Sequence, residues 1–81
     1  MSRSDPVAAA AEVKRTATLL RDARGILRRI DVLLATAAAL EDPALRDITA
    51  LRDAADRLVS QLAHREQAQQ RRAREAVRRL R

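Results

Sequence analysis

The densest chemistry in the chain lies at its C-terminal end, where seven of residues 65–81 are arginine and only Glu66 and Glu75 oppose them. On a helix, Arg71, Arg74, Arg78 and Arg81 fall on one side, while Arg65, Arg72 and Arg79 recur every seven residues along another. A guanidinium presents a planar fork of donors that matches phosphate oxygens in pairs. Arg71, Arg72, Arg74, Arg78 and Arg79 are therefore candidates for holding a nucleic-acid backbone. Such binding would be sequence-independent, because no helix-turn-helix or zinc-finger pattern accompanies the arginines. Phe, Trp and Tyr are absent, which also removes the stacking platforms used on single strands and RNA loops. The same arginines complement the negative end of a helix dipole, so they also have a purely structural reading.

The remaining reactive residue types are scattered. His64 is the sole histidine and falls almost opposite the apolar stripe of its helix, beside Arg65, so it reads as a surface residue without partners for a metal. Ser60 also points outward and has no general base near it in the pattern. Asp53 and Asp56 with Arg52 and Arg57 form a charge-laced solvated face. With no cysteine there is neither a thiol nucleophile nor a Cys-based metal or redox site. The sequence thus points away from an enzyme, and no cofactor, metal or small-molecule substrate is expected.

The elements that must position these residues are two long helices. Asp5-Pro6 and Asp42-Pro43 each read as a start signal, an acidic N-cap followed by proline at the first helical position, where its missing N–H costs nothing. A frayed N-terminus is expected over residues 1–5 and a single helical hairpin over 6–81. Within it, the first helix should span about 6–41, the turn 41–43 and the second helix about 43–80. The expected fold is all-α, an antiparallel two-helix hairpin that dimerises into a four-helix bundle.

The first helix carries Leu19-Leu20, Ile26-Leu27 and Leu33-Leu34 at intervals of seven, with Leu40 continuing the series and Ala23, Ile30 and Ala37 between. This apolar face is roughly 160° wide, broader than the a/d seam of a two-stranded coiled coil, and a face that wide usually meets two neighbours. Gly25 falls on the opposite side, where it costs about 1 kcal/mol relative to alanine.

The second helix shows a stripe of Ile48, Leu51, Ala55, Leu58 and Leu62, then Ala73, Val77 and Leu80, with Leu45 and Val59 at its edge. Glu66 and Gln69 interrupt it. If the hairpin closes at Asp42, partners sum to about 85, which sets Leu27 near Leu58 and Ala23 near Leu62. Leu19 and Leu20 then face the polar pair Arg65-Glu66.

At 81 residues, with no disulfide and no aromatic side chain, a lone hairpin has little interior to stabilise it. Both the wide face and the imperfect internal match point to association, with a second copy or with a helical protein. The expected association seam is Leu19, Leu20, Ile26, Leu27, Ile30, Leu33, Leu34, Leu51, Leu58 and Leu62. Nucleic acid is the alternative partner. A membrane surface is disfavoured, since the apolar side lacks Trp and Phe and is needed for packing. No secretory leader and no membrane-length apolar run is apparent, so a cytoplasmic location is expected.

Overall fold

The computed structural model describes residues 5–80, which form two helices, α1 (Pro6–Ala39) and α2 (Leu45–Arg78). Apart from Asp5, the segment expected to fray at 1–5 lies outside the described residues, as does Arg81. Asp5 acts as the N-cap that its sequence context implies. It is extended, and its Oδ1 accepts from the N–H of Val7 at 2.9 Å and of Ala8 at 3.4 Å, with Pro6 next in line.

The turn between the helices differs in detail from expectation. α1 stops at Ala39 with Leu40 as its C-cap, and Glu41 adopts a left-handed conformation, φ 52°. The N–H of Glu41 bonds the carbonyl of Ala38 at 3.1 Å, and that of Asp42 bonds Ala37 at 3.0 Å, a Schellman closure that satisfies the last carbonyls. Asp42 lies one turn ahead of regular α2. Its carboxylate accepts from the N–H of Ala44 at 2.8 Å, and its carbonyl accepts from Leu45 at 3.1 Å. The chain therefore spends residues 42–44 in a tight side-chain-capped turn. Helical bonding begins with Ile48 to Ala44, so α2 starts two residues later than expected.

A 34-residue helix is about 51 Å long, and the molecule measures 60 × 18 × 14 Å. Two helices joined by so short a turn must therefore lie side by side and antiparallel over their whole length. No helix among the described residues is long and apolar enough to cross a membrane.

The seam between them follows an unbroken alternation of three and four. On α1, Ala9, Val13, Thr16, Leu20, Ala23, Leu27, Ile30, Leu34 and Ala37 are buried or half-buried; on α2, Leu45, Ile48, Arg52, Ala55, Val59, Leu62, Glu66, Gln69, Ala73 and Ala76 are. This is the spacing of a two-stranded coiled-coil contact. Its centre is the cluster of Leu20, Ala23 and Leu62, against which Val59 and Ala63 pack. Near the turn, Arg52 Nε donates to Asp31 Oδ1 at 2.9 Å across the helices. That hydrogen bond and the carboxylate charge raise the Arg52 pKa above its ordinary value.

The stripe expected on α2 lies to one side of this seam. Ile48, Ala55 and Leu62 do face α1, but the row completing the contact is Arg52, Val59 and Glu66, while Leu51, Leu58, Val77 and Leu80 are exposed. Both rows make a three-four repeat with Ile48, Ala55 and Leu62, so hydrophobicity alone favoured the leucines. Leu27 consequently faces the row containing Val59 rather than Leu58.

Toward the open end the seam turns polar and then small. Thr16 and Gln69 are buried, Gln69 Oε1 has no hydrogen-bond partner, and beyond them the buried positions are mostly alanine. Gly25 lies on the outer side of α1, where an added Cβ would meet only Arg28 Nη2 at 3.8 Å, an ordinary contact.

Two substitutions check these assignments. Glu41→Gly is expected to raise unfolding free energy by about 1 kcal/mol, the lower bound of the left-handed penalty for a residue with a Cβ. Gln69→Leu is expected to raise it by about 1–3 kcal/mol, because it removes a buried acceptor that lacks a partner. Urea midpoints at fixed protein concentration measure both, and a drop in either would count against the corresponding assignment.

Candidate interaction surfaces

Among the large hydrophobes that stay exposed, Val7, Val32, Val77 and Leu80 lie apart, but the other six fall in two rows. Leu19, Ile26 and Leu33 each precede the seam residues Leu20, Leu27 and Leu34 by one position, and Leu51 and Leu58 stand in the same relation to Arg52 and Val59. The two-fold operation that relates antiparallel helices has its axis normal to their common plane, so equivalent seam positions on the two helices share a face of the hairpin. All five side chains therefore belong to one broad face. They remain 46–55 % exposed, against 3 % for Leu20 and 4 % for Leu62. Leu40 extends the α1 row to the turn, and Arg65 and Arg72 continue the α2 row toward the open end.

The structure thus divides the expected association seam in two. Leu20, Ile30 and Leu62 are buried and Leu27 and Leu34 half-buried between α1 and α2, whereas Leu19, Ile26, Leu33, Leu51 and Leu58 line the outer face. Adjacent leucines on one helix point about 100° apart, so each pair serves two sides at once.

The shape of the molecule gives it a large surface for its mass. A compact monomer of this size exposes about 4,900 Å². The chain exposes 6479 Å², an excess of roughly 1,600 Å² over that scaling.

No family model matches the chain, and neither curated proteins nor solved structures give a match.

The second surface is the arginine-rich end of α2. Arg71, Arg72, Arg74, Arg78 and Arg79 are all exposed. Arg71, Arg74 and Arg78 surround Glu75 on one side, and Arg74 and Arg78 also border a shallow groove floored by Ala73 and Val77. The structure therefore groups the candidate phosphate-binding residues around the last turns of one helix, with Arg72 and Arg79 on the row that continues from Leu51 and Leu58.

The reactive types noted in the sequence stay apart. His64 and Ser60 are exposed, and no group of three or more potential metal ligands occurs among the described residues.

Paired substitutions separate the two apolar sets. Leu62→Ala removes a buried side chain from the seam and is expected to cost about 2–5 kcal/mol of hairpin stability. Ile26→Asp combined with Leu58→Asp places charge on the outer face and is expected to leave the far-ultraviolet dichroism helical. Loss of helix in the double variant at a concentration where the wild type is a 9.0 kDa monomer would place Ile26 and Leu58 in the intramolecular core.

Proposed function

We propose that this chain is a non-enzymatic helical interaction protein that associates, with itself or with a helical partner, through the outer face bearing Leu19, Ile26, Leu33, Leu51 and Leu58. The carrying observation is that one face of the hairpin keeps two rows of half-exposed Leu and Ile side chains that α1 and α2 leave uncovered. Contiguous apolar patches rimmed by charge are typical of docking surfaces, and a second helical layer is the simplest cover for two parallel ridges of leucine. The association would build a four-helix arrangement in which the intramolecular seam and the outer face are both interior.

A second reading rests on the arginine cluster. Five exposed arginines among residues 71–79 give the end of α2 the charge density to bind a nucleic-acid backbone without regard to sequence. The two readings respond oppositely to salt. Backbone binding releases counterions and weakens steeply as salt rises, whereas burial of apolar surface does not weaken with added salt.

Light-scattering mass at low and high salt, with and without a generic duplex, tests both. Association through the apolar face is expected to give a mass above the 9.0 kDa monomer at both salt concentrations, unchanged by duplex. A 9.0 kDa species that joins the duplex only at low salt would replace this reading with the nucleic-acid one.

A further inference from the structure

Charge along the hairpin is strongly segregated by distance from the turn. Residues 30–56, the third of the chain nearest the turn, hold six Asp or Glu and two Arg, net −4. Residues 1–29 and 57–81, the remaining two thirds, hold fifteen Lys or Arg and five Asp or Glu, net +10. The molecule is a rod 60 Å long with an acidic end and a basic end.

The outer apolar face straddles the boundary between these regions. Its midpoint on α1 falls between Ile26 and Leu33, and on α2 between Leu51 and Leu58. Leu19 and Leu40 mark its two ends.

A second copy covers this face with a two-fold axis in one of two directions. With the axis along the rod, the turns of both copies lie at the same end, and the −4 turn region rests on a −4 turn region while the +10 remainder rests on a +10 remainder. With the axis across the rod, through the midpoint of the apolar face, Ile26 meets Leu33 of the second copy and Leu51 meets its Leu58. Each acidic turn region then lies along the basic flank of the other copy, and the arginine-rich ends point away from each other. Like-charge juxtaposition opposes association and opposite charge favours it, so electrostatics selects the second arrangement while apolar overlap is available to both.

We infer that the outer face is covered by a second copy of this chain in a two-fold dimer whose turns lie at opposite ends, with each acidic turn region set against the basic flank of its partner. The inference rests on the association reading above and adds partner and polarity to it.

The chain has no cysteine, so single labels are unambiguous. Nitroxides attached at Ala44→Cys and, in a separate sample, at Gln70→Cys report the distance between copies by pulsed electron resonance. From the rise of 1.5 Å per residue, opposed turns place the Ala44 labels about 30–35 Å apart and the Gln70 labels more than about 40 Å apart. Turns at the same end place both pairs within about 20 Å, allowing ~10 Å between helix layers. Long distances at both sites, with a scattering mass near twice 9.0 kDa, support the inference. Short distances at that mass overturn the polarity while leaving self-association standing. Wild-type protein at 9.0 kDa with no distance between labels overturns both self-association and the inference built on it.

Discussion

A pair of helices touches along a single line, and that geometric limit governs this molecule. Each helix offers the other one stripe of about two positions in seven, so every apolar residue beyond that stripe must face solvent or another molecule. Here α1 carries leucine or isoleucine at three positions in seven through its middle, and α2 adds two leucines of its own outside the contact. No large side chain is fully buried among the described residues, and the Cα radius of gyration is 18.0 Å, against about 12 Å for a compact chain of this length. The core is a strip, centred on Leu20, Ala23 and Leu62.

Polar residues within that strip make it uneven in a way that sets register. By the pairing that brings Ala23 to Leu62, Thr16 falls opposite Gln69 and Leu20 opposite Glu66. Near the turn, Leu34 falls opposite Arg52, whose guanidinium reaches across to Asp31. A slip of one turn would move Gln69 against leucine and break the Asp31–Arg52 bond. The polar positions therefore weaken the seam and oppose misalignment together, the use for which such residues are best attested in coiled coils. From the central cluster, contact volume falls toward alanine at the open end, so local opening should be easiest where the arginines are densest.

Much of this was legible in the sequence because it depends on local chemistry. Asp5-Pro6 started a helix as its residue types require, and the pairing of Ala23 with Leu62 followed from placing the turn near Asp42. The rotation of α2 was not legible. Leu51 and Val59 are both compatible with Ile48, Ala55 and Leu62, and hydrophobicity ranks the leucine row higher; the choice is made by which leucines α1 already uses, a tertiary fact. The late start of α2 was hidden for a related reason. An Asp-Pro pair fits an N-cap and a preceding tight turn equally well, and only the left-handed Glu41 upstream decides between them. For the surfaces, the sequence showed which side chains are apolar or basic, while their division into one inner seam and one outer face required the register.

The turn also determines what the chain will not become. Two helices of equal length on a short connection could straighten into a single rod and exchange halves with a neighbour, a route by which hairpins open into swapped dimers and chains. Straightening would relieve Glu41 of its left-handed backbone, a gain of about 1–2 kcal/mol. It would also bury Pro43 in mid-helix, where the absent N–H and the clash with the carbonyl four residues earlier cost about 3 kcal/mol or more. The proline outweighs the strain. The turn thereby favours the chain folded on itself over the straightened rod.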